Sequence, residues 1–231
     1  MSPLIIIPAR LESKRLPGKM LWRIHGRTLI EWTWRAACRA PFPGLIATDS
    51  DEIWAEAREF GARVVRTGPC ANGTERCATV LEQIGDRPDI VVNWQGDSPL
   101  TPAWIAGALV RALEDETAAV TTPVRLVDRF EPGQSVAVLA ENGKALYFSR
   151  QPVPTGGPWW AHVGLYAYRA KALGRYGRKA TGLEHAEGLE QLRWLGIGEA
   201  VHCVPVEVGP IPEVNVAGDI DLVARELGVE A

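Results

Sequence analysis

The sequence has few of the features that place a protein in a membrane or outside the cell. Its cysteines, Cys38, Cys70, Cys77 and Cys203, form no closely spaced pair, so we interpret them as reduced thiols and not as a disulfide framework or a metal site. No apolar run approaches the ~20 residues that a membrane-spanning helix needs. The N-terminus leads directly into a strand pattern without a basic segment and a long apolar core, so we expect no signal peptide and a cytoplasmic location.

The sequence also lacks a strong charge bias. Its 231 residues include 25 Lys and Arg against 28 Asp and Glu, a net charge of -3, which implies no general attraction to nucleic acid or to a membrane surface. The hydrophobic content of 46% and the charged content of 23% are typical of a soluble globular protein. Because no repeat, low-complexity tract or linker interrupts the chain, we interpret residues 1–231 as a single domain.

Segments with strand and helix patterns alternate along the first half of the chain. We predict strands at Leu4–Ile7, Gly44–Ala47, Arg63–Val65 and Ile90–Asn93, and helices at Thr28–Arg39, Asp51–Phe60, Gly73–Ile84 and Thr101–Leu113. In the second half we predict strands at Ala118–Val124, Ser135–Leu139, Ala145–Phe148, His162–Tyr168 and Val201–Val206, and helices at Glu184–Leu195 and Asp219–Leu227. The pattern predicts an α/β fold with a mostly parallel central sheet, helices on both faces and an antiparallel excursion.

A cationic loop follows the first predicted strand. Pro17 and Gly18 interrupt it, and within ten positions it carries Arg10, Lys14, Arg15 and Lys19. An open α/β sheet binds its ligands beyond the carboxyl ends of its strands, and converging cations suit a polyanion such as a triphosphate. The alternative is a solvated charged turn.

Two other stretches carry residues that fit the same chemistry. Asp97 follows the fourth predicted strand, where a carboxylate is a natural Mg²⁺ ligand, although Gly-Asp-x-Pro is also a common turn. Asn72 fits the N-cap of a helix, and Asn72, Gly73 and Thr74 could also line a pocket for a nucleotide base. Both interpretations of Asn72 can hold at once.

Together these stretches resemble the 3-deoxy-manno-octulosonate cytidylyltransferases, also called CMP-Kdo synthetases. The opening motif is Ile-Pro-Ala-Arg-x-x-Ser-x-Arg-Leu-Pro-Gly-Lys at residues 7–19. It is followed in order by Ala-Thr-Asp at 47–49, Gly-Thr-Glu-Arg at 73–76 and Gln-Gly-Asp at 95–97. Further matches are Ala-Leu-Tyr-Phe-Ser-Arg at 145–150, His-Val-Gly-Leu-Tyr-Ala-Tyr-Arg at 162–169, and the stretch at 183–193.

The resemblance implies a Rossmann-like nucleotidyltransferase fold, a homodimer, CTP bound over the first loop, and a Mg²⁺ ion. It places CTP at Pro8, Ala9, Arg10, Arg15, Lys19, Asn72, Gly73 and Thr74, and the metal at Asp97 and Asn215. It places the acidic acceptor at Gln95, His162, Tyr166, Glu190 and Gln191. Of these residues, it implies catalytic roles for Arg10, Arg15, Lys19 and Asp97.

Three departures from the family pattern concern the substrates. Asn215 stands where the family has an aspartate as its second Mg²⁺ ligand, so the metal site loses one negative charge. The segment Thr155–Ala161 is shorter than the charged insertion usual in the family, which suggests a remodelled acceptor pocket. Asn72 replaces a serine near the base, and its amide can still bond a pyrimidine edge.

We therefore expect Mg²⁺-dependent transfer of CMP from CTP to 3-deoxy-manno-octulosonate or a related sugar acid, with release of pyrophosphate. Alternatives are a smaller carboxylate or phosphonate acceptor, a different nucleoside triphosphate, or a non-catalytic nucleotide-binding protein. Because the two acceptor-side departures leave the cationic loop unchanged, they predict ordinary CTP binding, with 3-deoxy-manno-octulosonate a poorer acceptor than a smaller or more highly charged acid.

Overall fold

The computed structural model describes residues 1–13, 15–85, 87–131, 133–177 and 179–229, so Lys14 lies outside the described residues. The strands are β1 (Pro3–Ala9), β2 (Arg23–Ile24), β3 (Arg27–Thr28), β4 (Gly44–Thr48), β5 (Val64–Arg66), β6 (Ile90–Trp94), β7 (Val120–Val127), β8 (Val136–Leu139), β9 (Ala145–Ser149), β10 (Trp159–His162), β11 (Leu165–Arg169) and β12 (Val201–Pro205). The helices are α1 (Leu29–Ala37), α2 (Asp51–Glu59), α3 (Gly73–Gln83), α4 (Ala103–Ala112), α5 (Ala170–Leu173), α6 (Gly182–Glu187), α7 (Leu192–Gly196) and α8 (Ala217–Val229), with a 3₁₀ turn at Lys19–Leu21.

One mixed sheet organises the fold, with strand order β5-β4-β1-β6-β11-β7-β10-β8-β9 and β12 beside β7. The strands from β5 to β6 are parallel, whereas β11, β10, β8 and β9 join through antiparallel pairs. The short strands β2 and β3 form a separate two-stranded ribbon. These pairings confirm the α/β fold with its antiparallel excursion.

Strand β1 is buried on both faces, as an inner strand of such a sheet must be. Leu4 and Ile6 contact the core cluster that holds α3, α5 and α7. The alternate residues Ile5 and Ile7 contact the opposite cluster, which holds α1, α2 and α4. The helices therefore cover both faces of the sheet, as predicted. Among the described residues, no helix has both the length and the apolar character needed to cross a membrane.

A smaller apolar cluster joins the loop after β1 to the C-terminal part of the chain. Leu16 from the loop packs with Leu29 at the start of α1, with Val214, and with Val223 and Leu227 from α8. All five side chains are at most 6% exposed. This packing holds the cationic loop against the segment around Val214, more than 190 residues away in the sequence.

The predicted strand His162–Tyr168 is wrong, because the chain forms two strands there. Leu165 N donates to Val163 O at 2.8 Å, a tight turn that interrupts the strand. Before the turn, β10 pairs with β7 and β8, and after it β11 pairs with β6 and β7. The alternation of apolar and polar residues in the sequence does not show which strands each part of this segment pairs with.

The single helix predicted at Glu184–Leu195 is also wrong. Thr181 does cap α6, accepting a hydrogen bond from Glu184 N, but Gly188 has φ 64° and ends the helix. A left-handed glycine is a common helix terminator, and α7 begins only at Leu192. Because of this break, Glu190 and Gln191 lie between α6 and α7 and not within a helix. At α4, Pro102 is the N-cap and the helix begins at Ala103, so the predicted start at Thr101 was two residues early.

Arg193 on α7 holds this broken helical region together. Its side chain is 1% exposed and makes two hydrogen bonds to the Glu184 carboxylate, at 2.6 and 2.8 Å. The guanidinium lies 4.2 Å from the centre of the Tyr176 ring. Paired, bidentate and stacked contacts of this kind are the ones that favour arginine over lysine.

We expect Arg193→Met to lower the free energy of unfolding by about 3 kcal/mol or more, because it leaves the Glu184 carboxylate without its ionic partner. Arg175→Met is the matched control, since Arg175 pairs with Glu199 at 2.5 Å but is 48% exposed. Loss of an exposed pair should cost about 1 kcal/mol at most. Urea denaturation of both variants tests this, and equal losses would contradict a stabilising role specific to Arg193.

Candidate active site

The candidate site lies where β1, β6 and the N-terminus of α3 come together. The parallel strands β1 and β6 are neighbours, so the loops that follow them meet at one edge of the sheet. Gly96 makes this approach possible, because a Cβ there would lie 2.8 Å from the Pro8 carbonyl oxygen. Thr33 Oγ1 donates to the Gly96 carbonyl at 2.8 Å and fixes the same turn from α1.

Two adjoining cavities occupy this edge, each with a volume of about 610 Å³. The first, which we call the loop cavity, includes these predicted residues: Pro8, Ala9, Arg10, Arg15, Lys19, Asn72, Gly73 and Asp97. Asn72 is the N-cap of α3 and accepts from Glu75 N at 2.8 Å. Because a helix N-terminus favours anions, α3 adds to the cationic character of the loop cavity.

Thr74 is the predicted nucleotide residue that the structure places elsewhere. Its side chain is 1% exposed, and its Oγ1 lies 2.8 Å from the Tyr168 hydroxyl, inside the core. It is not among the residues that line the loop cavity. Threonine at the second position of a capped helix turns towards the sheet here, which the motif alone does not reveal.

Lys19 is a buried cation of the loop cavity. Its side chain is 8% exposed, and its Nζ donates to Asp97 Oδ2 at 2.5 Å and to the Val214 carbonyl at 2.7 Å. Arg15 lies nearby and donates to Asn215 Oδ1 at 2.6 Å. Arg10 lines the same cavity and is exposed. The structure thus brings all three predicted cations of the described loop to one cavity.

The second cavity, which we call the sheet cavity, lies over β10 and β11. It is lined by all five predicted acceptor residues: Gln95, His162, Tyr166, Glu190 and Gln191. Tyr166 donates from its hydroxyl to Gln191 Oε1 at 3.3 Å, so these two side chains orient one another. Asn215 lines this cavity and not the loop cavity.

His162 is neutral in this setting. Burial lowers its pKa to about 4, and its Nε2 lies 2.8 Å from Thr122 Oγ1. The ring also packs edge-on against Phe148 and beside Tyr166. A neutral imidazole held in this way can donate or accept one hydrogen bond in the cavity without adding charge.

Glu190 lines both cavities. None of the residues that the structure describes forms a hydrogen bond with its Oε2, which is buried. Burial raises the pKa of Glu190 to about 7.

Sequence reasoning missed three charged residues of the sheet cavity: Arg125, Arg150 and Glu213. Arg150 is held by the carbonyls of Glu187 and Gly188, at 3.1 and 3.2 Å. It belongs to one of the matched motifs and could have been found there. Arg125 lies in the middle of β7, where nothing in the local pattern distinguishes it from a surface residue.

Glu213 precedes Asn215 by two positions in an extended segment. Its Oε1 accepts from Ser98 Oγ at 3.1 Å. Burial, and next the neighbouring Asp97 carboxylate, raise the pKa of Glu213 to about 7. Alternate residues of an extended chain point to the same side, so the spacing of Glu213 and Asn215 is a signal that could have identified it.

The fold and the two joined cavities define a class of protein: an α/β nucleotidyltransferase, with a cationic loop for phosphates beside a second pocket for another substrate. Comparison with known proteins supports this class. A family model described as cytidylyltransferase matches residues 4–201.

Curated relatives are similar over nearly their whole length. The 3-deoxy-manno-octulosonate cytidylyltransferase of Chlorobium limicola is 41% identical over 244 residues, covering 98% of this chain and 98% of that protein. The protein of the same name from Aliivibrio fischeri (strain MJ11) is 38% identical over 243 residues, covering 96% of this chain and 98% of that one.

Solved structures are similar as well. A CMP:2-keto-3-deoxy-manno-octonic acid synthetase complexed with CTP has a TM-score of 0.92 and 29% identity, with 100% of both chains covered. A 4-diphosphocytidyl-2C-methyl-D-erythritol synthase from Anaerococcus prevotii, at 12% identity and a TM-score of 0.67 over 98% of this chain and 96% of that one, shares the fold.

The chain therefore belongs to the cytidylyltransferase family and, within it, to the 3-deoxy-manno-octulosonate cytidylyltransferases. It is a nucleotidyltransferase that uses CTP. The resemblance carried by the sequence motifs is confirmed.

The low pKa of His162 predicts a specific pH dependence of stability. An unfolded histidine has a pKa near 6.5 and the folded one near 4, so between pH 7 and pH 5 the unfolded chain takes up a proton that the folded chain does not. Stability supplied by the neutral ring is therefore lost as pH falls. We expect wild type to lose roughly 1–2 kcal/mol relative to His162→Asn over this interval.

Urea denaturation of both proteins at pH 7 and pH 5 measures this difference. Glu190 and Glu213, with raised pKa values of about 7, act in the opposite sense, since stability from their neutral forms is lost as pH rises. They are present in both proteins and cancel in the comparison. A wild-type–variant difference that stays constant with pH would contradict the neutral His162.

Proposed function

We propose that the protein transfers CMP from CTP to 3-deoxy-manno-octulosonate in a Mg²⁺-dependent reaction that releases pyrophosphate. An oxygen of the acceptor attacks the α-phosphorus of CTP, and the bond from that phosphorus to the pyrophosphate oxygen breaks. The acceptor hydroxyl gives its proton to solvent water, and pyrophosphate carries away the bonding electron pair. Such a reaction depends mainly on positioning and charge neutralisation.

One observation carries this proposal: the loop cavity and the sheet cavity share their lining at one place. The shared residues are Arg15, Gln95, Asp97, Arg150 and Glu190. A nucleotide in the loop cavity and an acid in the sheet cavity would therefore meet at the end of β6. Transfer between two bound substrates needs this contiguity, whereas a protein that only binds a nucleotide does not.

On the nucleotide side, Arg10, Arg15 and Lys19 hold the triphosphate and neutralise the charge that develops on the departing pyrophosphate. Asn72 and Gly73 lie at the N-terminus of α3, beside the space left for the base. Pro8 and Ala9 line the same cavity at the end of β1. Lys19 is preorganised, because its ammonium is already fixed by Asp97 and Val214.

The donor set at the junction fits Mg²⁺. Asp97 and Asn215 offer hard oxygen ligands, and Mg²⁺ is commonly held by one or two carboxylates together with substrate phosphates and water. Asp97 has one oxygen bonded to Lys19, which leaves the other for a metal. When bound, the ion would neutralise charge on the α-phosphate and orient the acceptor oxygen.

On the acceptor side, the sheet cavity supplies hydrogen bonds and positive charge. Gln95, His162, Tyr166 and Gln191 present neutral polar groups, and the carboxyl group of Glu190 also lines the cavity. Arg150 and Arg125 suit the carboxylate of a sugar acid. The names of the curated relatives support 3-deoxy-manno-octulosonate as this acid.

We further propose that the protein is a cytoplasmic homodimer, as the resemblance implies. Leu126 on β7 and Leu146 on β9 are 54% and 59% exposed. Both lie on strands of the antiparallel excursion, separated in the sheet by β10 and β8, and large exposed apolar side chains favour a protein interface.

Lys19→Ala and Arg15→Ala should each reduce turnover by about 100-fold or more, because removing one preorganised charge from a transition state costs on the order of 2–4 kcal/mol. Pyrophosphate release from CTP measures the effect. Arg23→Ala is a matched control, since Arg23 is 58% exposed and lies outside both cavities. Near-normal turnover in both loop variants would refute the placement of the triphosphate.

The acceptor is tested by steady-state kinetics with CTP, Mg²⁺ and a panel of acids. The names of the curated relatives favour the family's acceptor over the expectation drawn from the short segment Thr155–Ala161. We therefore expect 3-deoxy-manno-octulosonate to give the highest kcat/KM in a panel that includes other sugar acids, smaller carboxylates and phosphonates. Efficient turnover only with a smaller or more highly charged acid would overturn this acceptor and support the shift suggested by the short segment Thr155–Ala161. Release of pyrophosphate from no member of the panel would contradict the proposed reaction.

A further inference from the structure

We propose that Glu213 provides the second carboxylate of the divalent-cation site, in place of the neutral Asn215. The inference rests on the proposed Mg²⁺-dependent function and changes which side chain of this chain serves it. As a consequence, the site keeps two carboxylates although Asn215 stands where the family has an aspartate. The second carboxylate comes from Glu213, two residues earlier in the chain.

Asn215 is poorly placed to act as a ligand. Its only side-chain oxygen, Oδ1, accepts a hydrogen bond from Arg15 at 2.6 Å. Its backbone N–H donates to Asp219 Oδ2 at 2.7 Å, which fixes the residue at the start of α8. A cation bound at Oδ1 would share that oxygen with the Arg15 guanidinium, whose positive charge disfavours a cation there.

Glu213 is fixed beside Asp97 by several contacts. The neighbouring Val214 N donates to the Asp97 carbonyl at 3.0 Å, and Lys19 Nζ bridges the Val214 carbonyl and the Asp97 carboxylate. Ser98, 1% exposed, donates to Glu213 Oε1 at 3.1 Å. Hydrogen bonds that orient a carboxylate in this way are typical of metal ligands.

The opposite wall of the cavity leaves room for this carboxylate. A Cβ at position 164 would lie 2.9 Å from Glu213 Oε1, so only glycine fits beside the carboxylate in its observed position. Gly164 is the central residue of the turn that separates β10 from β11. The carboxylate is therefore accommodated by both the sheet and the C-terminal segment.

The charges at the junction also suit a divalent cation. Asp97 and Glu213 are two neighbouring carboxylates, and in the part of the chain that the structure describes Lys19 pairs only with Asp97. Among the described residues, no Lys or Arg lies within ion-pair distance of Glu213, and its second oxygen receives only a 3.5 Å contact from Asn215. A divalent cation shared with the nucleotide phosphates would balance this charge.

Mn²⁺ binding in the presence of CTP and without acceptor tests the proposal without relying on turnover. Electron paramagnetic resonance of free Mn²⁺ gives the dissociation constant for each variant. We expect Glu213→Gln to weaken binding by at least about tenfold, as for other changes at metal sites. Adding Asn215→Asp to Glu213→Gln should restore binding, because it returns a carboxylate to the site.

Two variants serve as controls. Asp97→Asn should weaken Mn²⁺ binding as strongly as Glu213→Gln, whereas Glu207→Gln, an exposed carboxylate outside both cavities, should leave it unchanged. If Glu213→Gln does not fold, Ser98→Ala removes the orienting hydrogen bond and should also weaken binding, by about tenfold.

Unchanged Mn²⁺ affinity in Glu213→Gln, or in Ser98→Ala if it alone folds, would overturn the proposal. The proposal would also be overturned if Asn215→Asp tightened Mn²⁺ binding equally in the wild type and in the Glu213→Gln variant. Either result leaves CMP transfer by the wild type untouched. Absence of pyrophosphate release from the wild type with every acid tested would instead refute the proposed function.

Discussion

The ammonium of Lys19 connects three parts of the chain that are distant in sequence. It comes from the loop after β1, binds Asp97 after β6, and binds the carbonyl of Val214 before α8. A buried cation with both partners in place is well compensated, whereas loss of one partner would leave an uncompensated charge. This contact helps to fix the relative positions of the loop, the end of β6 and the C-terminal segment, together with the apolar cluster around Leu16 and the hydrogen bond from Val214 N to the Asp97 carbonyl.

The loop cavity and the sheet cavity differ in the charged groups that line them. The loop cavity collects cations before any nucleotide arrives, so phosphate binding needs little rearrangement. The sheet cavity instead combines a neutral His162, carboxyl groups with raised pKa values, and two arginines from other strands and loops. Both cavities share Asp97 and Gln95, so in the proposed reaction one short turn after β6 would contact both substrates. This turn lies where the parallel half of the sheet meets its antiparallel half.

Much of the fold could be predicted, since β1, β4, β6 and the helices between them follow apolar runs and caps that act locally. The cationic loop and Asp97 were predictable for the same reason, because they directly follow strands. Glu213, Arg125 and the division of β10 from β11 were not predicted, since their positions depend on which distant strand or segment packs beside them. The direction of the Thr74 side chain likewise depends on Tyr168, 94 residues further along the chain.

The central claim is that two substrates meet at the turn after β6. A crystal structure of the protein with CTP and 3-deoxy-manno-octulosonate, in the presence of a divalent cation, tests it most directly. The account predicts the triphosphate against Arg10, Arg15 and Lys19, the sugar acid over His162 and Tyr166, and the α-phosphate between Gln95 and Asp97. A nucleotide bound with its phosphates away from Lys19, or an acid bound outside the sheet cavity, would contradict it.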